Sequence, residues 1–275
     1  MNWLESILYS LITAAAEIMP VSSQAHQTIL QTLFGFDQQP YLLHLFVHLS
    51  ILIAVLISSR EYLVRINHTS KILAISPRRR KRQPDFQTVC LIRFLRVAAV
   101  PMLMGFALMF YLREWTGKLP ILALILAVNG ILIYIPAHLP VGNKDSRGVS
   151  GLESLLIGVC SGIGAIPGLS RIGLGTSAAV ARGADPQQAL NWSILLSIPA
   201  LVVLLGIDIF MIVTEGVGVF HFIMVLQYLI CSIFAYISAY ISLNLLRFMA
   251  VKTGLSVFAY YCWGAAMFAF ILYMI

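Results

Sequence analysis

Long apolar runs separated by short polar segments make up most of this chain. Six runs have the composition of membrane-spanning helices, and they cover residues 42–58, 97–112, 121–135, 187–207, 217–245 and 255–275. Two further runs, 7–16 and 151–166, stop at polar segments before they reach the ~20 residues that a crossing requires. A shorter apolar piece follows each of them, which is typical of a re-entrant pair of helices around a covered break. The pattern therefore predicts an all-α polytopic membrane protein with six spanning helices and two re-entrant helical hairpins.

The two halves of the chain repeat the same order of features. Both polar breaks contain a proline followed three residues later by a serine, Pro20 with Ser23 and Pro167 with Ser170. An odd number of crossings separates them, so one enters from outside and the other from the cytoplasm, as in an inverted-topology repeat. We expect a single membrane domain over 1–275, with repeat 1 at about 1–138 and repeat 2 at about 150–275.

Charge is scarce and unevenly placed. Only 11% of the 275 residues are charged, against roughly 25% in soluble domains. Ten of the eighteen Lys and Arg residues fall between Arg60 and Arg96. By the positive-inside rule this segment is expected to be a solvated cytoplasmic loop. The net charge of +7 is thus explained by topology, and nucleic-acid binding is not expected.

The first polar break carries ionisable and nucleophilic side chains at membrane depth, where such groups usually mark a functional site. Glu17 is a candidate general base, a metal ligand, or a partner of an arginine for folding alone. Ser22, Ser23 and His26 follow within nine residues, and we expect a chemical role for His26. On the next helix, His44 is expected to be structural, and His48 is a candidate cavity-lining group.

The second polar break has the opposite charge. Arg171 lies among glycines and two hydroxyl residues, which are Gly168, Ser170, Gly173, Gly175 and Thr176. Glycines allow close approach of the backbone, exposed N–H groups attract anions, and arginine binds phosphate in a bidentate manner. The alternative is a glycine-rich packing site with its arginine paired to a carboxylate. We expect Glu17 and Arg171 to lie together, although 154 positions separate them.

These motifs resemble the undecaprenyl-diphosphate phosphatase family of the bacitracin-resistance type. The resemblance rests on Glu17-x-x-Pro20-Val-Ser22-Ser23-x-x-His26 and Pro167-Gly168-x-Ser170-Arg171-x-Gly173, and extends to segments 33–36, 50–55 and 192–199. It implies an enzyme of the bacterial inner membrane that removes the terminal phosphate of a C55 polyprenyl diphosphate, recycling the lipid carrier for cell-wall glycans. The polyprenyl diphosphate lipid is then the partner, and a homodimer is one oligomeric state to consider.

The resemblance also implies roles for particular residues. Glu17 is the metal ligand or base, with Mg or Ca as the divalent cation, and Ser23 or His26 is the nucleophile or its activator. Arg171 stabilises charge on the phosphate. The expected substrate-binding residues are Ser22, Gly168, Ser170, Gly173 and Thr176.

Three departures from the family pattern bear on activity. The family carries a second acid four positions before Glu17, where this chain has Thr13, and Ala25 replaces a glycine. The segment after Arg171 has its threonine one place late, at Thr176. Fewer carboxylates weaken a divalent-metal site. A non-hydrolytic polyprenyl-phosphate transporter or flippase-like relative is therefore the alternative function.

Overall fold

The computed structural model describes residues 1–36, 40–80, 82–215, 222–252 and 255–275. Within these ranges the chain folds into α-helices and one 3-10 turn, Pro77–Arg79, without a β-strand. The all-α fold class is thus confirmed. The helices are α1 (Trp3–Ile18), α2 (Ser23–Phe34), α3 (Tyr41–Ser58), α4 (Arg60–Ala74), α5 (Phe86–Thr116), α6 (Leu119–Ala137), α7 (Gly151–Ile163), α8 (Arg171–Ala181), α9 (Pro186–Glu215), α10 (Phe222–Lys252) and α11 (Ser256–Met274).

Six of these helices, α3, α5, α6, α9, α10 and α11, are long and apolar enough to cross a membrane. They correspond to the six predicted spans, of which residues 217–221 lie outside the described part of the chain. By contrast, α1, α2, α7 and α8 have 16, 12, 13 and 11 residues. At 1.5 Å per residue each is shorter than the ~30 Å hydrocarbon core. The chain therefore contains two helix–break–helix units, α1–α2 and α7–α8. Their re-entrant course and the inverted repeat remain predictions.

The prediction of a solvated loop between Arg60 and Arg96 was wrong in its structure. Helix α4 occupies its first part, and α5 begins at Phe86, eleven residues before the predicted span. The reason is an amphipathic pattern within the charged composition. Tyr62, Leu63 and Ile66 pack against the core. The charged side chains of α4 are exposed, so the charge of this segment alone does not indicate that it is helical.

Both breaks are shorter than the sequence predicted, because side-chain caps start the second helices early. Ser22 accepts a hydrogen bond from the backbone N–H of Ala25, so α2 begins at Ser23. Ser170 likewise accepts from the N–H of Gly173 at 3.1 Å, so α8 begins at Arg171. Serine is a preferred N-cap for this reason. Arg171 and the glycine positions after it are consequently helical and do not form an extended loop.

Helices α5 and α7 approach each other closely. A Cβ atom at Gly158 would lie 2.3 Å from the carbonyl oxygen of Ala98, and one at Gly105 would lie 2.2 Å from that of Gly162. No other residue type fits at such distances. This contact fixes α7, and α8 in turn packs against α6, α7 and α9. Helix α1 packs against α2, α3 and α10, so the two breaks are held in the interior.

Candidate active site

A cavity of about 320 Å³ lies where the two breaks meet. One part of its wall is polar and the other apolar. The polar lining includes Glu17, Ser22, Ser23, His48, Ser170, Arg171 and Asp208, and the apolar lining includes Phe106, Met109, Leu204, Ile207 and Met211. Such a cavity suits a ligand with a charged head and a hydrocarbon tail.

Glu17 is the centre of the polar wall, at the end of α1. Its Oε1 accepts a hydrogen bond from Nη2 of Arg171, and its Oε2 accepts one from the hydroxyl of Ser23. The side chains of Arg171 and Glu17 are only 10% and 6% exposed. The expected proximity of Glu17 and Arg171 across 154 positions is therefore confirmed. A hydroxyl, a carboxylate and a guanidinium are therefore joined by two successive hydrogen bonds.

The guanidinium of Arg171 is only partly satisfied. Its Nη1 atom is buried and has no hydrogen-bond partner among the described residues. Its central carbon lies 5.4 Å from the ring centroid of Phe106, within the range of a cation–π contact. A buried donor without a partner is costly. An anion entering the cavity would supply the missing acceptor.

Three hydrogen bonds join the breaks to each other or to a shared helix. The N–H of Gly168 donates to the hydroxyl of Ser22 at 3.0 Å. Asn129 of α6 donates to the carbonyl oxygen of Pro20 at 3.2 Å and accepts from the N–H of Ser170 at 2.9 Å. Two unusual backbone angles, φ +66° at Ser22 and φ +94° at Gly168, aim these groups at one another. The breaks are therefore tied together as one unit.

Four predicted site residues do not line the cavity. His26 uses both ring nitrogens elsewhere, since Nδ1 donates to the carbonyl of Ser22 and Nε2 accepts from the hydroxyl of Tyr261, both at 2.8 Å. Thr176 donates to the hydroxyl of Ser193. Gly173 packs against Pro20, where an added Cβ would lie 2.9 Å from a side-chain carbon, and Gly168 serves the backbone link. Their roles in chemistry or substrate binding remain predictions, and their contacts are those of positioning residues.

A second polar pair lines the same cavity, and the sequence reasoning missed half of it. Nδ1 of His48 donates to Oδ2 of Asp208 at 2.6 Å, and both side chains are 6% exposed. His44, one turn earlier on α3, bonds instead to the hydroxyl of Tyr9 at 2.7 Å. The signal for Asp208 was present, because it is a carboxylate inside an apolar spanning run.

The carboxylate set does not fit a preformed divalent-cation site. Among the described residues no three His, Cys, Asp or Glu side chains lie close enough together to hold a metal ion. Both oxygens of Glu17 already accept hydrogen bonds. Thr13, at the position of the family's second acid, is fully buried and offers one hydroxyl. Magnesium and calcium prefer six or more oxygen ligands. The divalent cation stays a prediction.

Comparison with known proteins places the chain among described relatives. It matches the family "Bacitracin resistance protein BacA" over residues 6–268. It is 27% identical to the undecaprenyl-diphosphatase of Methanobrevibacter smithii, over 98% of this chain and 97% of that protein. It is 29% identical to undecaprenyl-diphosphatase 1 of Shouchella clausii, over 98% of this chain and 96% of that protein.

Proposed function

This chain belongs to the bacitracin resistance protein BacA family, and from that premise we propose that it hydrolyses undecaprenyl diphosphate to the monophosphate and phosphate. Relatives that align over nearly the whole chain are named for this activity. The observation that carries the proposal is the contact of Ser23, Glu17 and Arg171 in one buried cavity. It brings a nucleophile, a base and an anion clamp together.

Arg171 binds the terminal phosphate. Its Nη1 has no partner among the described residues and its Nη2 contacts Glu17, so both can turn to phosphate oxygens. A guanidinium matches two such oxygens with parallel hydrogen bonds. Ser170 lies beside it at the N-terminus of α8, where backbone N–H groups favour an anion. Phosphate binding also releases Glu17 from its ion pair.

Ser23 then attacks the terminal phosphorus. The Oγ–P bond forms as the bridging P–O bond breaks, and the lipid monophosphate departs with the bridging oxygen. Glu17 takes the hydroxyl proton through the hydrogen bond that already joins the two side chains. Arg171 stabilises the charge on the phosphoryl oxygens during the transfer. A water molecule then releases phosphate from Ser23.

The apolar wall receives the start of the prenyl chain. The cavity is lined by Phe106 and Met109 of α5 and by Leu204, Ile207 and Met211 of α9. Both helices are long enough to cross a membrane. A hydrocarbon tail can therefore leave the cavity between apolar side chains while the diphosphate stays at the polar wall.

The proposed substrate also indicates where the protein acts. The chain is a multi-pass membrane protein, and its proposed site of action is the bacterial cell membrane, where the lipid carrier for cell-wall glycans is recycled. A homodimer is proposed as its assembly, and chemical cross-linking in native membranes tests it. The non-hydrolytic transporter is not favoured, because the relatives are named as diphosphatases.

Phosphate release from C55 polyprenyl diphosphate by the purified protein in detergent tests the proposal. Ser23→Ala and Glu17→Gln should each lower kcat by about 10²-fold or more, while binding of the lipid diphosphate persists. Matched controls are Ser232→Ala and Glu61→Gln, which alter side chains that do not line the cavity and should leave turnover unchanged. A wild-type protein that binds the lipid but releases no phosphate would refute the proposal and support the transporter.

A further inference from the structure

Hydrolysis through Ser23 needs two proton acceptors in succession. Glu17 takes the proton of Ser23 in the first step, and the departing lipid monophosphate does not need it. Glu17 is therefore protonated when water attacks the phosphoserine. It can return its proton to Ser23 Oγ as the P–O bond breaks, but it cannot also deprotonate the water. This argument rests on the proposed function, and it requires a second base at the cavity.

Three buried histidines lie near the breaks, and their contacts separate them. His26 does not line the cavity and has both nitrogens bonded. His44 lines the cavity, but its Nε2 is bonded to Tyr9. His48 lines the cavity, and only its Nδ1 has a hydrogen bond in the described part of the chain. Of the ring nitrogens of these three histidines, Nε2 of His48 is therefore the one that can bond to a ligand in the cavity.

Asp208 determines which nitrogen of His48 accepts. Its carboxylate accepts the Nδ1–H bond at 2.6 Å, so the neutral imidazole has its lone pair on Nε2. The same carboxylate stabilises the imidazolium that forms when Nε2 takes a proton. This is the logic of a base held by an orienting carboxylate. The pair bridges α3 and α9, two packed spanning helices, so it is held rigidly.

The other groups around this pair do not duplicate its function. His44 lies one turn away on α3, with its ring centroid 6.0 Å from that of His48. Tyr9 of α1 lies behind His44 and is bonded to it and to Gln31. Glu17 and Arg171 share the cavity with His48 and are paired to each other. The cavity that both pairs line has a volume of about 320 Å³, which is enough for a phosphate group and several waters.

We propose that His48 is the general base for the water that releases phosphate from Ser23, and that Asp208 is its positioning residue. Nε2 of His48 takes one proton from the water as the water oxygen bonds to phosphorus. The Oγ–P bond breaks, and Ser23 Oγ regains its proton from Glu17. Inorganic phosphate departs, and His48 passes its proton to solvent. No oxidant or metal takes part in this balance.

The test is single-turnover and steady-state hydrolysis of C55 polyprenyl diphosphate labelled with ³²P in the terminal phosphate. In His48→Gln, kcat should fall about 10²–10⁴-fold, with KM little changed. One equivalent of lipid monophosphate should appear rapidly, and the label should stay on the protein. The label should be absent from the double variant His48→Gln with Ser23→Ala. His68→Gln, on the outer face of α4, is the matched control and should turn over like wild type.

Asp208→Asn keeps the shape of the side chain and guards against misfolding of the His48 variant. It should lower kcat at least about tenfold and also retain label. Added to His48→Gln it should cause no further loss, because it acts through that imidazole. Additive losses would make Asp208 merely structural. If wild type is active, two results would overturn this inference alone. One is turnover of His48→Gln at the wild-type rate, and the other is slow turnover of His48→Gln without a burst of lipid monophosphate and without ³²P on the protein. An inactive wild type would overturn the proposed function itself.

Discussion

Asn129 is expected to be as important as the residues that touch the substrate. It is fully buried, and its one amide satisfies Pro20 in the first break and Ser170 in the second. Replacement by leucine keeps the branched shape and the number of heavy atoms. It removes both of these hydrogen bonds and also the one that the amide donates to Sγ of Cys262. The N–H of Ser170 would then be buried without its partner, and the carbonyl of Pro20 would keep only the weak 3.7 Å hydrogen bond from Sγ of Cys262.

The magnitude follows from those two groups. A buried backbone group that loses its partner costs about 1–3 kcal/mol, so Asn129→Leu should cost roughly 2–6 kcal/mol of stability. This is a large share of the ~5–15 kcal/mol that holds a typical protein folded. A shift of about 1 Å between the breaks should lower kcat by about 10²-fold, because Ser23 would no longer meet the phosphate held by Arg171.

Unfolding in mixed detergent with increasing SDS measures the stability, and phosphate release measures kcat. Asn191→Leu is the matched control, since it removes a 3.2 Å hydrogen bond to Tyr62 away from both breaks. It should cost about 1 kcal/mol and leave kcat unchanged. If Asn129→Leu unfolds like wild type and turns over at the same rate, the breaks do not depend on this amide.

Three further outcomes are expected. Arg171→Lys should weaken binding of the lipid diphosphate, because an ammonium is a point charge without the planar fork of a guanidinium. A dissociation constant equal to that of wild type would contradict the role of Arg171 as the phosphate anchor. Hydrogen bonds from Ser150 and Lys144 lower the pKa of Glu153 to about 2 from its ordinary 4.5. Glu153→Gln should therefore lower the melting temperature above pH 4.5, and the difference from wild type should vanish as the pH falls from 4.5 towards 2; a difference that stays constant over this range would contradict the prediction. Arg79→Cys, in a background without native cysteines, should resist impermeant thiol reagents added outside intact cells, and efficient labelling would place the segment outside.

The spanning helices and the pair Glu17 and Arg171 could be predicted from the sequence, because both leave local patterns in it. Apolar run length determined the six spans. An ionisable residue beside a proline in an apolar run identified Glu17, and the matching spacing in the second half identified Arg171. Their contact followed from one assumption, that the two breaks meet.

Other features could not be found locally. Whether His26 or His48 faces the cavity depends on which helices pack together, and each lies in an equally apolar setting. Asn129 and Asp208 are single polar residues in long spans, and only the packing of α6 and α9 against the breaks gives them partners. Serine is a common N-cap residue, so Ser22 and Ser170 were recognisable as candidate caps. Because polar residues follow both serines, the sequence did not indicate that α2 and α8 begin directly after them.

The hydrogen bonds between the breaks also have a consequence for the order of synthesis. The hydrogen bond between the carbonyl of Pro20 and Asn129 can form only after 109 more residues have been synthesised. The bond between the hydroxyl of Ser22 and the N–H of Gly168 requires 146 more residues. At 5–20 residues per second, the first delay alone is roughly 5–20 s. Unpaired backbone groups do not settle in hydrocarbon. The unit α1–α2 must therefore stay near water, at the membrane surface or within the insertion machinery, until the middle of the chain emerges. Its polar groups are fully paired only when the unit α7–α8 has been made.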